Sequence, residues 1–309
     1  MNVEELLDPD DLAIVHKELM ASRDYATGFA PDVVIKFGND HNSGFSLRLM
    51  PPFLIALRAR ALGDFNTSSG TIAVDEATGR VLVQWLHGVG IDVATSYDAL
   101  FDHGIVMGLD KLFGGVDRVP VIPVFTNCGG DLRPPLKRSL ALGTAIGDYF
   151  LKCRPELNVL FLGSGGLSHD PPLPEFETSP ADVQKRMIDG TEWTQESLAK
   201  RTKNVTAAGV AHGRGEGGLK PLNPSWDRHM LDCFASGKLE VVAAQEDAEV
   251  IAVGGRGASE IRNWLAAFAA LRAYGGGHYS IDHNFYKPLP SWITGFANVF
   301  ASIDEGLPA

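Results

Sequence analysis

One stretch restricts the possible folds of this chain more than any other. Val159-Leu160-Phe161-Leu162-Gly163-Ser164-Gly165-Gly166-Leu167-Ser168-His169-Asp170-Pro171-Pro172 opens as an apolar run, breaks into glycines and ends on a histidine held by two prolines. An apolar run of this length bounded by turn residues reads as a fully buried strand, most often within a parallel sheet. The glycines let the backbone turn sharply or approach a ligand closely. Ligands in open α/β sheets collect at the carboxyl ends of strands, where His169 belongs. By itself the stretch fits a glycine-rich turn with a solvated histidine equally well.

The remaining strand candidates tip that balance. Asp32-Val33-Val34-Ile35-Lys36-Phe37-Gly38 reads as a strand and runs into Asn39-Asp40-His41. Ile91 to Ser96 reads as another, leading to Phe101-Asp102-His103-Gly104, and a further strand spans Val119 to Phe125. Helices are predicted over Val81–Gly88 and from Pro135 towards Phe150. Alternating strands and helices give an α/β fold, with a central, mainly parallel sheet flanked by helices in one domain spanning 1–309. Three strands then each deliver a histidine (His41, His103 and His169) towards a common crevice. A cluster of imidazoles there suits metal binding and proton transfer near neutral pH.

Other features bound the function. A net charge of -11 and a pI near 5.3 argue against nucleic acid or an anionic membrane as the main partner, since a phosphate backbone needs a basic face. No apolar run approaches a membrane span, and no basic-then-apolar leader is expected. Cys128, Cys153 and Cys233 are odd in number and widely spaced, which makes neither a disulfide framework nor a zinc cluster. A reducing, cytoplasmic setting is the expectation.

Asp10 reads as the N-cap of a first helix with Leu12, Val15, His16 and Leu19 on one face, so His16 is expected to pack in the core. Residues 175–220 are polar and read as helices and mobile loop over the crevice, with His212 solvated. Ile261, Trp264, Leu265 and Phe268 form the buried stripe of a late amphipathic helix. Glu260, in its first turn, reads either as a favourable charge at a helix N-terminus or as a metal-ligating carboxylate.

Histidine nitrogen with carboxylate oxygen suits Fe(II), Mn(II) or Zn(II), and two His with one carboxylate leave positions open for substrate and oxygen. No GxSxG elbow, Walker A sequence or dinucleotide fingerprint appears, so a Ser164 nucleophile or a nucleotide site has little support.

Several segments occur in a telling order: Asn39-Asp40-His41 to Gly44-Phe45, Met50-Pro51-Pro52-Phe53, Gly63-Asp64-Phe65, Asp102-His103-Gly104, Leu160 to His169, Pro221-Leu222-Asn223-Pro224, and Glu260-Ile261 with Trp264. Together they resemble the class III extradiol ring-cleavage dioxygenases of the LigB superfamily, over nearly the whole chain. The likeness is greatest to members acting on a catechol with a carboxyalkyl side chain, such as 3-(2,3-dihydroxyphenyl)propionate or its cinnamate analogue. The resemblance implies an Fe(II) cofactor, catechol and O2 as substrates, and a homo-oligomer. It implies His41 and Glu260 as iron ligands, His103 as proton donor with Asp102 beside it, and His169 as acid/base. Ser168 and Pro171 fall in the same active-site motif. Another catechol, an aminophenol, or a non-catalytic relative that only binds ligand or partner are the alternatives.

One departure from the family pattern concerns the ligand set. Members begin with a short strand carrying a Ser-His-Ser-Pro-like segment, whose histidine completes the triad. Met1 falls downstream of that segment and residues 1–10 hold no histidine, so two of three protein ligands are expected here. A misplaced start or a truncation is the reading of this departure. His16 is a poor substitute on its expected apolar face.

Overall fold

The computed structural model describes residues 3–130 and 132–303. Runs of β-branched and aromatic residues become strands β1 (Val33–Gly38), β2 (Phe53–Ala56), β5 (Ala94–Ser96), β7 (Val121–Thr126) and β8 (Val159–Gly163) of one five-stranded sheet, ordered β5-β2-β7-β1-β8. β1 lies parallel between β7 and β8, with Ile35 opposite Ile122 on one side and Phe161 on the other. β2 pairs parallel with β5 but antiparallel with β7, so the sheet is mainly, not wholly, parallel.

Side chains alternate across β1 with the period of two that a strand imposes. Val33, Ile35 and Phe37 enter the core beneath helices α2 (Glu76–Gly88), α4 (Leu136–Cys153) and α10 (Ile261–Tyr274). Val34 points to the opposite face, where helix α3 (His103–Phe113) packs against Phe125 and Val121. A small sheet of β3 (Ala59–Leu62), β4 (Ser69–Thr71) and β6 (Ala99–Phe101) closes that face.

α4 and α10 meet at backbone distance. A Cβ on Gly143 would lie 2.1 Å from the Ala266 carbonyl oxygen, and one on Gly147 would lie 2.2 Å from that of Ala270. This close packing buries α10 on nearly every side, not only along the expected stripe: Ile261, Leu265 and Phe268 are buried, and so are Arg262, Asn263 and Ala266–Ala270. Because α10 is pinned to α4, its N-terminal end is fixed against the central sheet.

The polar region read as helices and mobile loop forms α5 (Ala181–Asp189) and α6 (Gln195–Gly213), α6 starting with a Thr194/Ser197 capping box. α6 packs on the turn of the hairpin β9 (Ser280–Leu289) and β10 (Thr294–Ser302): a Cβ on Gly209 would lie 2.4 Å from the Ser291 carbonyl oxygen. His212 is therefore buried, not solvated, with Nδ1 2.7 Å from the Pro290 carbonyl oxygen. His16 departs in the opposite sense. Helix α1 (Pro9–Phe29) is capped by Asp8 rather than Asp10, and it buries Val15 and Glu18 while His16 is exposed. Glu18 explains the rotation: it accepts from His283 Nε2 at 2.7 Å on β9, drawing that flank of α1 inwards.

Candidate active site

His41, His103, His169 and Glu260 converge beyond the carboxyl ends of β1 and β8. His41 follows β1 directly. His103 comes from a different layer than expected: the small-sheet strand β6 delivers it, and Asp102 N-caps α3 by accepting from Gly104 N at 3.0 Å. His169 sits six residues past β8. Its backbone N–H donates to Gly254 O at 2.8 Å and its carbonyl accepts from Gly257 N at 3.0 Å. Glu260 ends a 3-10 turn that runs straight into α10.

The glycine loop is shaped by Glu260. Gly165 has φ +143°, and a Cβ there would lie 2.6 Å from Glu260 Cβ, so only glycine lets the loop lie against the carboxylate. Gly166 N donates to Glu260 Oε2 at 2.9 Å. From α10, Trp264 Nε1 donates to Gly165 O at 2.9 Å and Asn263 Nδ2 to Ser164 O at 3.0 Å, holding the loop down.

Each imidazole is oriented by its own acceptor. His41 Nδ1 lies 3.1 Å from Asp102 Oδ2, and the same oxygen accepts from the His41 backbone N–H at 2.9 Å. His103 Nδ1 lies 2.7 Å from Asp64 Oδ2, and its backbone N–H donates to Asp64 Oδ1 at 2.8 Å. His169 Nδ1 donates to the Leu167 carbonyl at 2.9 Å. With Nδ1 turned to these acceptors, the Nε2 atoms of His41 and His169 face Glu260, at 3.2 Å from Oε1 and 3.6 Å from Oε2 respectively, and Asn39 Nδ2 also lies 3.2 Å from His41 Nε2. The rings of His41 and His103 stack, with Phe65 edge-on to His103.

Electrostatics follow from burial and pairing. Burial opposes a charge on Glu260, but His169 and His41 outweigh it and hold the carboxyl well below the usual range. Burial likewise opposes protonation of His41, and Asp102 and Glu260 overcome it, so its pKa stands well above that of free imidazole. His169 is raised through Glu260 against the same opposing burial.

The donor set fits a divalent ion. Two ligands on neighbouring positions of an octahedral ion, each about 2.1 Å from it, stand about 3 Å apart. His41 Nε2 and Glu260 Oε1 have that spacing at 3.2 Å. His41, Asp102 and His103 also bring three potential donor atoms within 4.8 Å of one another. Asp102 is already saturated by the His41 ring and backbone, Ser43 Oγ at 2.7 Å, Gly104 N and Arg201 Nη2 at 3.3 Å, so it orients His41 from behind. His41 Nε2 and Glu260 Oε1 form a donor pair at ligand spacing, and His169 Nε2 approaches the same carboxylate.

Of the other expected residues, Ser168 is buried and donates from Oγ to Asp227 Oδ2 at 2.7 Å. The Pro171 carbonyl accepts from Arg256 Nη2 at 3.1 Å. Both fix the loop that carries His169. Sequence reasoning assigned no role to Asp64, although Gly63-Asp64-Phe65 was noted, and none to Asn39, whose Nδ2 donates to Glu260 Oε1 at 3.0 Å. Lys36 and Arg201 carried no local signal.

Fold and site define a class of enzyme: an α/β protein that gathers three imidazoles and a buried carboxylate beyond the strand ends, a donor set suited to a metal ion. The family profile described as "Catalytic LigB subunit of aromatic ring-opening dioxygenase" matches residues 11–297. A Rhodococcus sp protein named 2,3-dihydroxyphenylpropionate/2,3-dihydroxicinnamic acid 1,2-dioxygenase is 37% identical over 303 residues, 98% of this chain and 94% of the relative. Proteins with the same name from Mycobacterium sp. (strain MCS) and Photorhabdus laumondii are 41% identical (95% of this chain, 91% of the relative) and 39% identical (88% and 85%). The chain belongs to the LigB family of aromatic ring-opening dioxygenases. Among the described residues no helix is long and apolar enough to cross a membrane.

Proposed function

We propose that this protein is an Fe(II)-dependent extradiol dioxygenase that opens 3-(2,3-dihydroxyphenyl)propionate or its cinnamate analogue beside, not between, the two hydroxyls. The observation that carries the reading is the 3.2 Å approach of His41 Nε2 to Glu260 Oε1 inside a ring of further imidazoles. The names of relatives at 37% to 41% identity point to the substrate.

His41 and Glu260 would hold the iron. Bound there, Fe(II) would supply a centre that brings catechol and O2 together and lowers the pKa of the catechol hydroxyls. His169, its Nδ1–H anchored on Leu167 O, turns Nε2 into the site and is the base for a substrate hydroxyl proton. His103, anchored through Nδ1 on Asp64, keeps Nε2 for the opposite task of giving a proton as the ring opens. Asp102 and Asp64 fix the orientation of the two stacked imidazoles. Phe65 walls His103 on one side and limits water there. Both oxygen atoms end in the ring-opened dienoic acid.

The wider reading is a single LigB-type domain over residues 1–309, a homo-oligomer, and a cytoplasmic protein that uses neither nucleic acid nor membrane as partner. The test is anaerobic loading with Fe(II) followed by oxygen uptake with 2,3-dihydroxyphenylpropionate. Uptake of one O2 per catechol with appearance of the coloured ring-opened product is expected. Stoichiometric iron without oxygen uptake on any catechol would remove the enzyme reading.

A further inference from the structure

Arg201, on the first turns of α6, reaches down from the covering segment into the site. Its Nη1 donates to Ser43 Oγ at 2.7 Å and its Nη2 to Asp102 Oδ2 at 3.3 Å, while Nη1 stands 3.5 Å from Asp64 Oδ2. The guanidinium also lies against two aromatic rings, 5.7 Å from the centroid of Phe65 and 5.2 Å from that of Trp193. The same cover is tied down a second time by Trp193 Nε1, which donates to Ser43 O at 2.9 Å.

The two carboxylates that Arg201 touches are the ones behind His41 and His103. Both side chains are almost wholly buried, at 1% exposure for Asp64 and 0% for Asp102, and both approach His103 Nδ1, at 2.7 and 3.9 Å. Two buried anions sharing one imidazole repel each other unless a cation lies between them. A guanidinium does this better than an ammonium, because its planar fork reaches two acceptors at once while its faces stack on rings.

We propose that Arg201 is a positioning residue: it holds Asp64 and Asp102 in register behind the stacked imidazoles. Without it, the two carboxylates move apart and each histidine loses the direction in which its Nε2 points. The catalytic part of this inference rests on the ring-cleavage reading; the geometric part does not.

The test compares Arg201→Gln, Arg201→Lys and Trp193→Phe. The last loosens the cover while leaving the cation in place. In metal-free protein, diethyl pyrocarbonate labelling of His41 and His103, followed by mass spectrometry against His278, is expected to quicken about tenfold or more in R201Q. In R201K and W193F it should quicken by no more than about threefold. In iron-loaded protein, kcat for R201Q should fall about ten- to a hundredfold, the usual cost of losing a partner behind a ligand, with KM within about threefold. R201K should recover part of kcat. Equal labelling in R201Q and W193F would reduce Arg201 to a fastening for the cover and overturn the proposal, as would wild-type labelling in R201Q. A wild-type protein without turnover would count against the ring-cleavage reading alone, and the labelling comparison would still decide Arg201.

Discussion

His41 and His103 lie face to face, ring centroids 4.3 Å apart and planes within 5°, each with Nδ1 against a different buried aspartate. On the proposed reading, the stack separates two tasks that share one wall. His41 turns Nε2 to Glu260, and Asp102 is its backing. His103 is backed by Asp64.

The two aspartates should therefore fail differently. Asp102→Asn is expected to weaken Zn2+ or Fe(II) binding about ten- to a hundredfold, since it misdirects a ligand. Asp64→Asn should leave metal affinity within about threefold and lower kcat about ten- to a hundredfold. Metal titration by calorimetry beside steady-state turnover measures both; equal losses of affinity in the two variants would erase the division.

Gly257 makes room for His169: a Cβ there would lie 2.1 Å from His169 Nε2. Gly257→Ala should push the imidazole off Glu260 and abolish ring opening much as His169→Ala does, while catechol binding persists in both. Overpacking of this kind costs about 1–3 kcal/mol, so the variant should still fold. A G257A enzyme with full turnover would take His169 out of the mechanism.

Lys36 is fully buried on the central strand, with Nζ donating to Ser164 Oγ and to Phe37 O at 3.1 Å. Burial pushes its ammonium down to about 7, with Glu260 pulling weakly the other way. The folded pKa lies below the unfolded one, so between pH 7 and about 10 the unfolded chain binds the extra proton and stability rises with pH. Below that window the full cost of a buried charge is present. Lys36→Met should be more stable than wild type at pH 6, and the gap should narrow by about 1.4 kcal/mol per pH unit above 7. Urea melts at several pH values check this; a constant gap would contradict it.

Gly143 holds α10 in place from α4. Gly143→Ala drives a methyl into the Ala266 carbonyl and should cost about 1–3 kcal/mol, read as a lowered urea midpoint. Because Glu260 directly precedes α10, divalent-ion affinity should fall in the same variant. Unchanged affinity in a destabilised G143A would mean that Glu260 is held by its loop contacts alone.

Strands and site histidines were legible because each carries a local signal. Val33–Phe37, apolar but for Lys36, and Val159–Leu162 are strand-like runs ended by glycine, and a histidine after such a run is visible without the fold. The partners were not, since Asp64, Asn39 and Arg201 find their histidines or carboxylate only through long-range packing. Helical phase failed where one long-range contact decided it: Glu18 meets His283 from β9, which leaves His16 facing outwards. His212 sits in a polar, glycine-rich context that gave no hint of the hairpin turn covering it. The small sheet escaped because β3, β4 and β6 are 3 or 4 residues each, too short for a period to register.

His41 and Glu260 stand 219 positions apart in the chain, and the α4–α10 contact that steadies Glu260 forms only when the last third of the polypeptide has been made. A growing chain shorter than 260 residues therefore holds His41 without the carboxylate it faces. On the proposed reading, metal loading at this pair waits until most of the polypeptide has been made and folded.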